Sequence, residues 1–306
     1  MGEIMNKYQR IRGEFYGKPW AILPDKLHQI TQLLQFAAEG GKFTDEEVRE
    51  RIGAGPRVTP KTPGMVALIP IYGVVSNRMN MMNDISGPGG TSIEKLTSAY
   101  RQALSDTNVK AIVFDVDSPG GSVDGVPELA DEIYSSRGKK PQIAVANTMA
   151  ASAAYWLASA ADELVVTPSG AVGSIGVWGA HEDYSKALEQ EGVKVTLISA
   201  GKYKVEGNPY EPLSEEARNA LQADVDNFYS MFVNAVAKNR KVSATAVSDG
   251  YGQGRMVMAS LAVKQGMADS VATLDQTLGR FGVSTSTKRM TASAANDLRE
   301  RELALY

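Results

Sequence analysis

The sequence predicts an α/β fold built on a largely parallel sheet, and three observations carry that reading. Five short apolar, β-branched runs recur through the middle of the chain: "MVALIPIYGVV" (65 to 75), "VKAIVFDV" (109 to 116), "PQIAVAN" (141 to 147), "DELVVTP" (162 to 168) and "VKVTLIS" (193 to 199). Their near-continuous hydrophobicity is that of strands covered on both faces. Stretches of helical periodicity separate them, and strands alternating with helices imply parallel pairing.

The elements follow in order. Residues 1 to 62 begin with an aromatic and basic segment, after which "LPDKLHQITQLLQFAAEG" repeats Leu27, Ile30, Leu33 and Leu34 at helical spacing and stops at Gly40 and Gly41. This is a helical N-terminal arm. "GAGPRVTPKTPG" (53 to 64) concentrates Gly and Pro as linkers do, so the main domain runs from 63 to 282. Thr91 with Glu94 suggests a capping box opening "SIEKLTSAYRQAL", "VPELADEIYSS" follows Asp124 as a second helix, and "HEDYSKALEQEG" is a third ending at Gly192. A long amphipathic helix from about Ser214 to Arg240 spaces Ala217, Leu221, Val225, Phe228, Phe232 and Val236 by three or four, as core or an oligomer contact would. Residues 283 to 306 form a polar Ser/Thr-rich tail, expected to be flexible.

Composition narrows the chemistry. The 306 residues are 43% hydrophobic, which suffices for one well-buried core with appendages or for two small domains. A net charge of −3 with the two signs interspersed offers no basic field for nucleic acid. The absence of cysteine removes disulfides and thiolate metal sites, and with only His28 and His181 a histidine-rich zinc site is implausible, so neither metal nor cofactor is expected. His28 falls in the arm and His181 reads as a solvated capping residue. No stretch of about 20 apolar residues occurs, so a cytosolic protein without a membrane span is expected.

Three segments carry hydroxyls, amines or glycines where chemistry needs them. "DVDSPGGSV" (115 to 123) follows the most apolar strand and opens a helix; its Pro-Gly-Gly turn either aims backbone N–H groups at a ligand or is an ordinary tight turn. "TMAASAAYW" (148 to 156) places Ser152 at the start of a helical run among residues small enough to admit a substrate backbone, a pattern equally suited to close helix packing. A nucleophilic serine needs a base, and a lysine can serve when its amine is neutral. "ISAGKYKVEGNPY" (198 to 210) offers Lys202 and Lys204, alternatively a plain surface pair, and "SGAVGSIGV" (169 to 177) offers Ser174, either to orient an amine or to cap a strand.

Taken together these residues resemble the signal peptide peptidase A family of Ser/Lys serine peptidases, relatives of ClpP. The resemblance covers roughly residues 65 to 280. It rests on "DSPGG", "MAASAAYWLASAADELVVTPSGAVGSIGV", "AGKYK" and "GQGRMVMASLAVKQGMADSV" (252 to 271). It implies a ClpP/crotonase-like fold of repeated ββα units and an endopeptidase with Ser152 as nucleophile, Lys204 as general base and Ser174 positioning that lysine. Lys202 falls at a variable position. The resemblance further implies an oxyanion hole made by the N–H groups of Gly121 and Ala153, with Gly120 and Ala151 lining the substrate site. One departure is Ala153, where many relatives have glycine; its methyl narrows the pocket without removing an N–H. The arm "GKPWAILPDKLHQI" is similar to the start of phage head-maturation proteases of the minor capsid protein C type.

That resemblance implies polypeptide substrates, namely scaffold, portal or capsid proteins processed within a prohead in the host cytoplasm, and a ring-like or dome-like homo-oligomer. It also points to self-cleavage in the tail, within Ala292 to Ala295 of "TASAAND". Two rival readings share the fold: a catalytically silent capsid or scaffold-associated protein, and a crotonase acting on an acyl thioester. The intact Ser152, Lys204 and Gly121 set speaks against the first. The second would commonly move protons with carboxylates.

Overall fold

A computed structural model describes residues 19–38, 66–77 and 90–283 of the chain. The expected tail cleavage site at 292 to 295 lies outside the described residues. The N-terminal segment is a short strand β1 (Trp20–Ile22) followed by α1 (Pro24–Ala38). Then come β2 (Val66–Tyr72), β3 (Val75–Ser76), β4 (Thr91–Ser92), α2 (Ile93–Ser105), β5 (Ala111–Ser118), β6 (Gly120–Ser122), α3 (Val126–Ser135) and β7 (Gln142–Ala151). The chain continues through α4 (Ala153–Ser159), β8 (Glu163–Val166), β9 (Ala171–Gly173), α5 (Ser185–Gln190), α6 (Glu215–Arg240) and α7 (Ala244–Gly250). It closes with β10 (Met256–Met258), α8 (Ala259–Lys264), β11 (Ser270–Val271) and α9 (Leu274–Gly279).

The fold is α/β, as the alternating runs require. The larger sheet has the order β10-β9-β7-β5-β2, with β8 on β7 and β11 on β8. All its pairs are parallel except β9 with β10. On one face, Ile112, Phe114, Val116, Ala144 and Ala146 pack beneath α2, α3, α4 and the C-terminal part of α6. Trp156 stacks on Phe232 there, with centroids 4.5 Å apart. The other face carries Val66, Ala111, Val113, Ile143, Val145 and Val165 against Leu278. Strands buried on both faces explain why their sequences are apolar without alternation. A smaller sheet, β1-β6-β3-β4, stands beside the first, with β6 one residue beyond the end of β5.

Several boundaries differ from those expected. The N-cap of α2 is Ser92, whose Oγ accepts from the Lys95 N–H at 3.4 Å. Thr91 is unavailable because its hydroxyl donates to the Tyr72 carbonyl at 2.9 Å. Asp124 does not cap α3; Gly125 does, at φ 80°, while Asp124 accepts from the Ser122 hydroxyl at 2.9 Å. The long helix begins where expected, and its N-cap is Ser214, accepting from Ala217 N–H at 3.1 Å. His181 is half-buried, with Nε2 3.0 Å from the Asn208 carbonyl oxygen, and caps nothing. The strand expected over 193 to 199 is not formed: these residues pair with no strand, and Val193, Val195 and Ile198 are exposed, Ile198 at 96%. A β-branched run becomes a strand only where a sheet edge lies beside it, and none lies there among the described residues.

The C-terminal end of α6 is fixed by charge. The Arg240 side chain, 8% exposed, donates to both Asp269 oxygens at 2.8 and 2.7 Å and to the Gly266 carbonyl at 3.0 Å. Asp269 also accepts the Leu164 N–H at 2.7 Å, tying the helix to β8. Burial alone would push the Asp269 carboxyl up, but the hydrogen bonds from Arg240 and Leu164 outweigh it and hold the acid below its ordinary range. Asp269→Ala should lower unfolding free energy by about 2 kcal/mol in urea titrations, under the roughly 3–5 kcal/mol of a fully buried pair because Asp269 is partly solvated. The wild-type advantage should be complete above about pH 4, the carboxyl's unfolded value, and fade as pH falls through the lower folded value.

Candidate active site

Strand β7 runs straight into α4 with one residue between them, and that residue is Ser152. Such a turn demands an unusual backbone: Ser152 has φ 53° and ψ −120°, a region a residue with a side chain seldom adopts. Holding it there costs on the order of 1–3 kcal/mol. The surroundings supply the compensation. Ser152 is 1% exposed, Ala150, Ala151, Ala153 and Ala154 are fully buried, and the Ser152 N–H donates to the Gly173 carbonyl at 2.7 Å. The hydroxyl has only a long contact, 3.4 Å, to the Gly176 carbonyl. Ala153 begins the helix, so its N–H lacks an intrahelical acceptor.

The Pro-Gly-Gly turn lies against this junction. A Cβ on Gly120 would overlap the Ala21 carbonyl oxygen and stand 2.9 Å from Ser152 Cβ and 3.0 Å from the Ala151 carbonyl oxygen; one on Gly121 would drive into the Val75 backbone. The two glycines are therefore required by close approach. Ser118 sets the turn, its hydroxyl donating to Gly73 O at 2.6 Å and accepting from Gly120 N–H at 3.2 Å. Ser174 directly follows β9, buried and also at positive φ, 52°, with its N–H bound to the Arg255 carbonyl at 2.9 Å. Thus Ser152, Ala151, Ala153, Gly120, Gly121 and Ser174 gather at the carboxyl ends of β5, β7 and β9, where open α/β sheets bind ligands.

The lysines stand apart. Lys204 is exposed, in a turn of the segment between α5 and α6, and makes no hydrogen bond to Ser152. Lys202 is committed elsewhere. Its Nζ lies 2.7 Å from the Tyr203 hydroxyl and 2.9 Å from Glu216, and these hydrogen bonds raise its proton affinity above that of an ordinary lysine. That is the wrong direction for a base.

Residues 135–288 match the model of Peptidase family S49. The chain belongs to that family. It is 37% identical over 242 residues to capsid assembly protease C of Escherichia phage lambda, covering 77% of this chain and 54% of that protein. It is 36% identical over 217 residues to head-tail preconnector protein GP5 of Enterobacteria phage P21, covering 71% and 43%. The S49 chain thus spans about half the length of the curated relatives it matches. Among solved structures it resembles a ClpP1 mutant from Listeria monocytogenes at 13% identity and TM-score 0.43, over 69% of this chain and 94% of that one.

Two features of this S49 chain escaped sequence reading. The first is an acid cluster on the sheet face away from α2 to α4: the Tyr72 hydroxyl donates to Asp115, a buried carboxylate that the Asn147 side chain also faces. Burial pushes the Asp115 carboxyl up, and burial together with the Asp115 charge does the same to Asp117. Two acids at alternate positions of an otherwise apolar strand, "FDVDS", were the available signal. The second is β1, three residues that pair antiparallel with β6. Among the described residues no group of His, Asp and Glu is arranged to hold a metal.

The glycine geometry gives a direct test. Gly121→Ala should cost about 3 kcal/mol or more, at or above the top of the usual overpacking range, because its Cβ meets Val75 backbone, whereas Gly250→Ala, whose Cβ would meet nothing within 4 Å, should leave the thermal midpoint unchanged or slightly raised. Differential scanning calorimetry of the two variants checks both.

Proposed function

We propose that this chain is a serine endopeptidase whose nucleophile is Ser152 and whose general base is Lys204, and that it processes scaffold, portal or capsid polypeptides during phage head assembly in the host cytoplasm. The observation that carries the reading is the strained, buried Ser152 set between a strand end and a helix start beside two glycines that only close backbone contact explains. Backbone strain of this kind concentrates at functional residues, and a sharp strand-to-helix turn is a known way to present a serine nucleophile. Family membership and the likeness to the lambda capsid assembly protease support the substrate class.

In this mechanism the neutral Lys204 amine takes the proton of the Ser152 hydroxyl as Oγ attacks the peptide carbonyl. The oxyanion is met by the N–H groups of Gly121 and Ala153. Lys204 then protonates the leaving amine, and water, deprotonated in turn, releases the acyl group from Ser152. Removing one oxyanion donor typically costs about 10²–10³ in rate, so the glycine turn matters nearly as much as the dyad. Ser174, buried beside β9, positions the amine. Lys202, held by Glu216, is free of any role in the chemistry.

Lys204 is exposed within one chain, and the apolar residues 193 to 199 just before it are uncovered. Both facts favour a homo-oligomer in which a neighbouring copy covers this segment and the dyad is completed between copies, with α6 contributing to the contact. Partially buried interfaces of this kind supply the desolvation a lysine base needs.

A fluorophosphonate probe should label Ser152 in wild type, label poorly in Lys204→Ala and label near-normally in Lys202→Ala. Casein cleavage should rise through the alkaline range, because a lysine base must shed a proton that ordinarily leaves at about pH 10.4. Equal loss of labelling in the two lysine variants would overturn the assignment of the base. Mixing inactive Ser152→Ala with inactive Lys204→Ala chains should restore part of the activity, and no recovery in a proven mixed oligomer would place both groups in one chain.

A further inference from the structure

The edge of β6 that a polypeptide would need is already taken, and by this chain itself. Trp20, Ala21 and Ile22 lie antiparallel to β6, opposite Ser122, Gly121 and Gly120 respectively. On its other side the same strand exchanges hydrogen bonds with Trp178: Trp20 N–H to Trp178 O at 2.8 Å and Trp178 N–H to Trp20 O at 3.0 Å. The Trp178 indole N–H also donates to the Ile22 carbonyl at 3.0 Å. Three residues therefore fill a slot one strand wide, between the Gly-Gly turn on one side and the segment after Ser174 on the other.

The direction of the backbone groups can be read from the ladder. In an extended strand successive residues send their N–H and C=O to opposite edges. Trp20 spends both on Trp178, so those of Ala21 face β6. The Leu23 N–H donates to the Pro119 carbonyl at 3.0 Å, which makes Ala21 and Gly121 the preceding exchanging pair of the same ladder. The Ala21 carbonyl is thus opposite the Gly121 N–H. A Cβ built on Gly120 would overlap that carbonyl oxygen and stand 2.9 Å from Ser152 Cβ, so both border the same point on the turn.

The strand is anchored on both sides of this contact. Trp20, Ile22, Leu27 and Ile30 bury against Val74 and Trp178 in a cluster of their own, and Ala21 is fully buried. Pro19, directly before Trp20, lines a cavity of about 380 Å³ together with Trp178, Leu221 and Val225 of α6.

We infer that Trp20–Ile22 is a built-in occupant of the polypeptide groove, docked as a substrate strand with Ala21 as the residue whose carbonyl faces Ser152, so that another polypeptide binds only after this segment is displaced. This rests on the reading of Ser152 and Gly121 as the site that acts on polypeptides. The pairing on both edges and the buried flanks make the segment an inhibitory strand.

The chain contains no cysteine, so a single tether can be placed cleanly. Trp20→Cys with Trp178→Cys joins two directly opposed residues, a spacing compatible with a disulfide. In a Ser152→Ala background, binding of a fluorescent peptide carrying residues 18 to 24 is measured by anisotropy in the oxidised and reduced forms. We expect binding about tenfold or more weaker when oxidised, since a closed groove reduces apparent affinity by the fraction left open. Equal affinity in both forms, or no binding in either, overturns the inference. Ala21→Pro, which leaves both tryptophans in place and removes the N–H that Ala21 gives to Gly121, should tighten peptide binding several-fold relative to Ser152→Ala alone, and no change would equally overturn it. Casein cleavage by the reduced protein with Ser152 restored reports separately on the protease reading: tether-dependent binding without any cleavage would retire that reading and leave the occupied groove standing.

Discussion

The close approach of backbone to backbone at Gly120 and Gly121 is the contact on which the remaining geometry depends. It is where the two sheets meet. Gly121 lies on Val75 of the small sheet, and Gly120 lies on Ser152 at the end of the large one. A methyl at either position would separate layers whose mutual distance defines the site. Three neighbours hold this junction shut: Ser118 by bonding to Gly73 and Gly120, β9 by accepting the Ser152 N–H, and α4 by burying its whole length, with Trp156 stacked on Phe232 of α6.

Strain at Ser152 is tolerable because the residues around it leave no slack. The alanines on either side are fully buried, and the Trp156–Phe232 stack, with Tyr155 bound to the Met267 carbonyl at 2.9 Å, seats the helix that follows. A core packed to crystal-like density resists the small shift that would relax one dihedral angle. Ser174 repeats the arrangement one strand away, at nearly the same φ. Two serines in such a conformation, each following a strand of one sheet, mark out the edge at which the chemistry is proposed to occur.

Much of this was legible in the chain. The runs around Val113, Ala144 and Val165 are strands because they are covered on both faces, and that cover is what their unbroken hydrophobicity encodes. The helix from Ser214 was legible because its cap, its acidic first turn and its apolar spacing agree. Local pattern misled where a tertiary partner decided the outcome. Thr91 resembles a cap until Tyr72 takes its hydroxyl, and Val193 to Ser199 resembles a strand until no edge is found for it. Trp20–Ile22 could not be read at all, since three residues carry no period and their pairing is with a segment a hundred positions away. Of the site, Ser152, Ser174 and the glycines are gathered at one sheet edge, while Lys204 is in a separate exposed turn that no local pattern of the sequence distinguishes from an ordinary surface loop.

The uncovered stretch before Lys204 has a kinetic meaning if the base is supplied by another copy. Catalysis would then be second order in the chain at low concentration, and the rate per molecule would climb as molecules are brought together. A volume that gathers many copies, such as a closing shell, would act as the switch without any ligand or modification. Escape from that volume would end the chemistry by dilution alone, which spares whatever lies outside.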